Sequence, residues 1–279
     1  DLPQGWLVPY AHAIKQVVKV PIITVSEIKE PQFAESVLET GRADFISLGR
    51  ALLADPEWPK KAMEGKENEI RKCISCDFCK LTTAGGSKAH ANRPPLGIPL
   101  RCATNSAVGR EKELTKIKPA EKRKRVMIVG GGPAGMEAAR VAALRGHSVS
   151  LYEKAGSFGG QLNIAAVPPG KKKIGWVIEF LEGQLKKLRV ETHLNKEIRV
   201  EEIIKEAPDV LIVATGSRPI IPDIPGLDYD SVITAHDLLA GKRTAKGKKA
   251  VIIGASQTGC ETAEFLAEKG CEVTIIDQL

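Results

Sequence analysis

Two stretches of the chain repeat the same pattern of residues. The first, residues 126–154, reads VMIVGGGPAGMEAARVAALRGHSVSLYEK, and the second, residues 250–278, reads AVIIGASQTGCETAEFLAEKGCEVTIIDQ. Each unit contains an apolar run, a glycine-rich turn, a helical pattern, a second apolar run and an acidic residue. Strands that alternate with helices pair in parallel, so the duplication predicts an α/β fold with two Rossmann-like units.

The glycines of both units stand where a bound dinucleotide requires them. The first glycine, Gly130 or Gly254, permits a tight turn after the strand. The second, Gly132, has no side chain at the point where a pyrophosphate approaches the backbone. The third, Gly135 or Gly259, lets the helix pack closely against the strand. The N-terminus of the helix then offers free N–H groups to the phosphates.

Each unit ends in an acidic residue, and the two units differ at the middle glycine of the turn. Glu153 and Asp277 would accept hydrogen bonds from ribose hydroxyls. Ser256 replaces the middle glycine of the second unit, where its side chain would crowd a pyrophosphate. That unit therefore either binds nucleotide or keeps the shape while binding poorly. If it binds, Asp277 would repel a 2′-phosphate and favours NAD over NADP.

Two turns lie between the repeated units. One is FGGQL at residues 158–162, in which paired glycines would let the backbone approach a bulky ligand. The other ends the apolar run DVLIVATGSRP at residues 209–219. Both turns are also compatible with ordinary loops.

The cysteines are unevenly distributed. Four of the six fall in one short segment, at Cys73, Cys76, Cys79 and Cys102. Three thiolates in overlapping CxxC steps, with a remote fourth, favour an iron–sulfur cluster. Zinc in a tetrahedral four-thiolate site is the alternative. Cys260 and Cys271 lie in the second repeated unit and are predicted to be small core residues.

Residues 1–70 alternate between helical and strand patterns. The predicted strands are residues 21–25 and 44–48, and the predicted helices are residues 8–18, 31–40 (stopped by Gly41) and a segment that ends at Met63. Two parallel strands cannot close a barrel, and a (β/α)8 barrel needs about 250 residues. The remaining strands are therefore expected before residue 1.

Charge and composition exclude some classes of protein. The net charge of +7 is concentrated in residues 116–125 and 242–249, and aromatic residues make up only 4% of the chain, which argues against a nucleic-acid surface. No apolar run is long enough to span a bilayer, and no signal peptide is predicted from these residues. A cytoplasmic protein without membrane or nucleic-acid partners is predicted, and no pattern indicates an oligomeric state.

With these motifs in order, the chain resembles the multidomain old yellow enzyme group of NADH:flavin oxidoreductases. This group includes 2,4-dienoyl-CoA reductase, the 2-enoate reductases, trimethylamine dehydrogenase and histamine dehydrogenase. The resemblance covers essentially the whole chain as an internal fragment. It implies the end of an FMN-binding barrel at residues 1–70, a cluster segment at 71–110, a linker at 111–124, an FAD domain at 125–247 and the start of an NAD(P) domain at 248–279.

The resemblance also implies roles for individual residues. Gly49 and Arg50 would bind the FMN phosphate. The four clustered cysteines would hold a 4Fe–4S cluster. The residues that would line FAD are Gly130, Gly132, Gly135, Glu153, Gly160, Gln161 and Gly216, and those that would serve NAD(H) are Gly254, Gly259 and Asp277.

The function implied is an enzyme that passes electrons from NADH through FAD and the cluster to FMN, which reduces an activated C=C bond of a small molecule. One alternative is an amine dehydrogenase that passes electrons to a partner protein. Another is a non-catalytic nucleotide-binding module with structural zinc. Substrate-contacting residues are expected before residue 1, so no catalytic residue is named.

Three departures from the group's pattern are visible. The interval between Cys79 and Cys102 is longer than usual, and the three-step CxxCxxC run is closer to the amine dehydrogenases. Ser26 stands where the group often has glycine.

Overall fold

The computed structural model describes residues 2–83, 100–245 and 247–278. It divides into two compact units, Asp1–Pro119 and Ala120–Leu279. In both units the sheets pair only parallel strands within the described residues, as predicted for an α/β fold.

The first unit alternates short strands and helices. Its elements are α1 (Val8–Lys15), β1 (Ile23–Thr24), α2 (Pro31–Glu39), β2 (Phe45–Ile46), α3 (Arg50–Ala54), α4 (Trp58–Met63), α5 (Phe78–Thr83) and α6 (Glu111–Leu114). Strand β1 pairs in parallel with β2. Both strands are shorter than predicted, and α1 ends three residues early. Whether the two strands belong to a barrel stays a prediction.

The helix predicted to run to Met63 is instead two helices. Asp55 leaves the helical conformation (φ −143°, ψ 101°) after α3. Pro56 follows it, and the residue before a proline is sterically disfavoured in the α region. The predicted stop of α2 is confirmed, because Gly41 has φ +64°.

A buried aspartate between α3 and α4 connects these helices to the chain that leads into the cysteine segment. Asp55 is 4% exposed. Its carboxylate accepts hydrogen bonds from the Glu57 N–H (3.0 Å), the Lys61 Nζ (2.6 Å) and the Arg71 N–H (2.8 Å). The chain leading into Cys73 is therefore anchored on the α3–α4 junction.

The second unit contains both repeated segments. Its elements are β3 (Arg125–Val129), α7 (Pro133–Leu144), β4 (Ser148–Tyr152), α8 (Gln161–Ala165), α9 (Gly175–Lys187), β5 (Glu191–His193), α10 (Val200–Glu206), β6 (Val210–Val213), α11 (Ala235–Leu239), β7 (Lys249–Ile253), α12 (Gln257–Glu268) and β8 (Glu272–Ile276). The predicted Rossmann-like order is confirmed in the first repeated unit. Strands β7 and β8 form a separate parallel pair.

The main sheet has the strand order β5-β4-β3-β6. From β3 the chain crosses through α7 to β4 and through α9 to β5, and it then returns to β6 on the other side of β3. The connections therefore diverge between β3 and β6. Such a switch point leaves a crevice outside the carboxyl ends of the strands, where ligands bind in open α/β sheets.

Apolar side chains between this sheet and its helices form the core. Ile128, Met136 and Leu151 are fully buried, and Leu185 of α9 is 2% exposed. Among the described helices, none combines the length and the apolar character required to cross a membrane.

Candidate functional site

The first glycine turn lies at the switch point, directly after β3. Gly130 has φ +109°, and a Cβ there would stand 2.2 Å from the Ala214 carbonyl oxygen at the end of β6. A Cβ on Gly135 would stand 1.8 Å from the Gly130 carbonyl oxygen. Backbone atoms cannot move aside for a side chain, so the fold itself requires glycine at both positions.

Gly132 is different, because no neighbouring atom requires it to be glycine. Its φ of −73° and ψ of 179° are open to any residue, and a Cβ there would meet nothing within 4 Å. It is the last residue before α7, whose first residue is Pro133. An open space beside the partly exposed Gly132 at a helix N-terminus fits the approach of a pyrophosphate.

The FGGQL turn packs against this glycine turn. The Gly159 N–H donates to the Gly131 carbonyl oxygen at 2.9 Å, and a Cβ on Gly131 would collide with the buried Phe158 ring. Gly160 has φ +51°, and a Cβ there would stand 3.2 Å from the Gly132 Cα. The lack of a side chain at Gly160 therefore lets the second turn lie close against the first.

A glutamine connects the FGGQL turn to the turn after β6. The Gln161 side-chain amide donates to the carbonyl oxygen and the hydroxyl of Ser217, each at 3.0 Å. Gly216, beside Ser217, has φ +78°. Three glycine-containing turns, which the family resemblance assigns together to an FAD site, thus meet at the carboxyl ends of β3 and β6.

The acid of the first unit holds the glycine turn. One Glu153 carboxylate oxygen accepts from the Gly131 N–H at 2.6 Å, and the other accepts from the Ala155 N–H at 2.7 Å. This structural role was not foreseen from the sequence. A carboxylate has about four acceptor positions, so ribose hydroxyls can still bind it.

The second repeated unit reproduces this geometry. Gly254 has φ +104°, and a Cβ on Gly259 would stand 1.8 Å from the Gly254 carbonyl oxygen. The Asp277 carboxylate accepts from the Ala255 N–H, as Glu153 does from Gly131. Ser256 precedes α12 with φ −66° and ψ 173°, and its side chain makes no capping hydrogen bond.

The prediction that Cys260 is a core residue is wrong. Cys260 lies on α12 but is exposed, because the helix buries Gly259, Thr262, Ala263 and Leu266 and turns Cys260 away from that face. Cys271, which lies just before β8, is half-buried.

In the first unit, the four clustered cysteines line one pocket. Its other lining residues are Arg50, Leu53, Ile74, Asp77, Ala103 and Thr104. Burial raises the pKa of the Cys73 thiol above its usual value and outweighs the opposing effects of a backbone hydrogen bond at Ser75 and of the charges of Lys29 and Arg50. No three His, Cys, Asp or Glu side chains in the described ranges are arranged to hold a single metal ion. The long interval before Cys102 falls largely at residues 84–99, outside the described residues.

Arg50, predicted to bind a flavin phosphate, is held by two carboxylates. One terminal guanidinium nitrogen donates to Glu27 and the other to Asp77. Gly49 precedes α3 with negative φ, and a Cβ there would meet nothing within 4 Å, so the fold does not require glycine at that position.

Sequence reasoning missed the charged cluster around Glu27. Burial by itself would raise the pKa of Glu27. Hydrogen bonds from Lys29 and Ser75, together with the charges of Lys29 and Arg50, outweigh burial and lower the pKa to about 2. These residues are far apart in the sequence, and the only sequence signal near them was Ser26, which has φ 107° where glycine would be unstrained.

Comparison with known proteins places both units in known groups. Residues 124–279 match the family described as pyridine nucleotide-disulphide oxidoreductase, and residues 8–69 match the NADH:flavin oxidoreductase / NADH oxidase family.

Similar proteins match almost the whole chain. NADH oxidase of Thermoanaerobacter brockii is 49% identical over 279 residues, which are 99% of this chain and 42% of that protein. Cinnamate reductase of Clostridium sporogenes is 42% identical over 98% of this chain and 39% of its own length. A solved complex of 2-naphthoyl-CoA reductase with 2-naphthoyl-CoA superposes with a TM-score of 0.88 at 35% identity, over 98% of this chain and 40% of that one. The chain thus spans about two fifths of these relatives.

Proposed function

The chain belongs to the pyridine nucleotide-disulphide oxidoreductase family over residues 124–279 and is related to the NADH:flavin oxidoreductases over residues 8–69, and from this premise we propose that it is part of an NADH-dependent flavoprotein that reduces an activated C=C bond of a small molecule. The observation that carries the proposal is the meeting of three glycine turns at the switch point of the main sheet. When bound, FAD, FMN and a 4Fe–4S cluster would supply the redox chemistry.

The FAD site would lie at this switch point. Gly130 and Gly135 shape the turn, and Gly132 leaves its backbone open toward the pyrophosphate. Gly160 and Gly216 would border the ligand in the neighbouring turns. Gln161 would keep those turns together, and the Glu153 carboxylate would accept hydrogen bonds from ribose while it fixes the glycine turn.

The NADH site would use the second repeated unit. Gly254 shares the positive φ of Gly130, and Gly259 packs on the Gly254 carbonyl oxygen as Gly135 does on that of Gly130. Asp277 would bind ribose hydroxyls and repel a 2′-phosphate. NADH is therefore preferred to NADPH. The name of the relative from Thermoanaerobacter brockii, NADH oxidase, agrees with this preference.

The four cysteines would hold the 4Fe–4S cluster. Each thiolate of a cubane binds a different iron, so its four ligands surround a volume rather than one ion. The shared pocket lined by Cys73, Cys76, Cys79 and Cys102 fits that requirement. Gly49 and Arg50 would border the FMN phosphate in the same unit.

Reduction of a C=C bond is supported by the name of a similar protein, cinnamate reductase. The opposite direction, from an amine to an electron-transfer partner, remains the competing function. A non-catalytic module with structural zinc would need neither flavin nor iron. Metal content and reduction by NADH distinguish the three.

The experiment is a cofactor analysis of the full-length protein purified without oxygen. About four irons and four acid-labile sulfides per chain, FAD and FMN in equal amounts, and bleaching of the flavin absorbance by NADH are expected. Zinc without flavin would establish the non-catalytic module. Flavin and iron that an amine reduces but NADH does not would establish the amine dehydrogenase. Addition of a cinnamate-like substrate to the NADH-reduced protein should restore the flavin absorbance.

A further inference from the structure

Two loops of the first unit share an unusual backbone conformation. Ser26 (φ 107°), Glu27 (φ 53°), Ser75 (φ 56°) and Asp77 (φ 54°) all have positive φ. A left-handed conformation is unfavourable for a residue with a side chain, because its Cβ comes too close to the following carbonyl oxygen. Such residues persist only where surrounding interactions hold them, and they concentrate at functional sites. The first pair follows β1, and the second pair lies among the clustered cysteines.

Hydrogen bonds and ion pairs join these two loops. The Ser75 hydroxyl donates to Glu27 at 2.6 Å, and Lys29 Nζ donates to both Glu27 and Ser75. The Arg50 guanidinium connects the loops a second time, from Glu27 on one side to Asp77 on the other. All four strained residues therefore belong to one charged network or stand next to it.

The centre of this network is buried. The side chains of Glu27 and Lys29 are 9% and 5% exposed. The low pKa of Glu27 keeps its carboxylate charged. Removal of one partner from a buried ion pair leaves an uncompensated charge, which is strongly destabilising. The network is thus able to hold both loops in place.

Arg50 lies where this network meets the cysteine pocket. It lines that pocket together with all four cysteines. Both of its terminal nitrogens are engaged by carboxylates, one of which, Asp77, stands between Cys76 and Cys79. Asp77 also pairs with Lys80 at 3.0 Å, within the same segment.

We propose that Arg50 is a positioning residue for the cysteine segment, residues 73–79, and acts through the bridge Glu27–Arg50–Asp77. The bridge holds the strained loop that carries Cys73 and Cys76, and the start of α5 that carries Cys79, against the pocket that these cysteines line. This role rests on the proposed cluster site, and it adds to the flavin-phosphate role that the family resemblance implies for Arg50.

The test uses full-length protein with its cofactors, purified without oxygen. Asp77→Asn removes the charge but keeps a residue that tolerates positive φ. Glu27→Gln removes the buried charge, and Glu57→Gln is the matched control, since Glu57 pairs only loosely with Lys60 at 3.7 Å on the surface. The measurements are iron and sulfide content, the rate of iron release to a chelator, the electron paramagnetic resonance spectrum of the reduced protein, and FMN content.

We expect Asp77→Asn and Glu27→Gln to release iron about tenfold faster than the parent protein and to show a changed resonance spectrum, because charge-assisted bonds are replaced by weaker ones. FMN content should stay at the parent value in Asp77→Asn. Glu57→Gln should match the parent protein in every measurement.

Unchanged iron release and spectrum in Asp77→Asn would overturn the proposal, and so would loss of FMN with full retention of iron. If Glu27→Gln does not fold, the result for Asp77→Asn alone tests the proposal. The Asp77 side chain is 49% exposed, so its replacement is compatible with folding. If the parent protein contains no iron, the proposed cluster fails first. Hydrogen exchange at residues 73–79 then tests the bridge: faster exchange in Asp77→Asn than in Glu57→Gln supports it, and equal exchange overturns it.

Discussion

The two glycine turns of the second unit have similar backbone conformations but differ in sequence, most notably at the middle glycine of the motif. Gly132 and Ser256 occupy the same place before α7 and α12, with φ of −73° and −66° and ψ of 179° and 173°. In both turns the third glycine is required by a carbonyl oxygen 1.8 Å from its missing Cβ. The backbone conformation therefore requires the first and third glycines. It does not require glycine at the middle position, where the residue can instead be determined by the bound ligand.

The largest loss of stability is expected when a side chain is added to the third glycine of either turn. Gly135→Ala places a methyl group against the Gly130 carbonyl oxygen, so we expect a loss of about 3 kcal/mol in the free energy of unfolding, together with loss of FAD. Gly259→Ala makes the same contact with Gly254 in the other turn. Urea unfolding and flavin content measure both effects.

Gly259→Ala should retain FAD while reduction of the protein by NADH slows. This contrast assigns a different ligand to each turn. Equal loss of FAD in both variants would show that the turns do not act separately.

A smaller effect is expected when the first turn receives the residue of the second. Gly132→Ser adds a side chain that meets no protein atom, so the melting temperature of the FAD-free protein should not change. The dissociation constant for FAD should rise about 10- to 100-fold, equivalent to about 1.4–2.7 kcal/mol, because the side chain enters the space that a pyrophosphate would use. Flavin titration of the FAD-free protein measures it, and a lowered melting temperature would contradict the steric argument.

The reciprocal change, Ser256→Gly, is expected to have the smallest effect. Ser256 makes no capping hydrogen bond, so the stability cost of glycine before the helix should be only a few tenths of a kcal/mol. Removal of the crowding side chain should strengthen NADH binding about threefold, or about 0.6 kcal/mol. Rapid-mixing measurements of flavin reduction over a range of NADH concentrations give the constant. Weaker binding would mean that the hydroxyl contacts the nucleotide.

The repeated units, their strands and helices and the places of their glycines were predicted from the sequence alone. These features depend on residues that are neighbours in the chain: a glycine with positive φ after a strand, an apolar run, or a proline at the start of a helix. The end of α2 at Gly41 was predicted for the same reason. The break at Asp55 was missed although Pro56 marks it, because the helical pattern on either side was followed without regard to the proline.

Other features depended on which distant residues the fold brings together. Gln161 binds Ser217, the Glu153 carboxylate binds the Gly131 N–H, and Arg50 bridges Glu27 and Asp77. No local pattern specifies these pairs, because each depends on where two separate strands or loops end. The exposed position of Cys260 had the same origin, since a helix buries only the face that meets its strands. The sequence by itself determined the two repeated turns and the cysteine spacing. The tertiary structure decided which loops meet, because contacts between distant residues form only when the strands carry them to the same edge of the sheet.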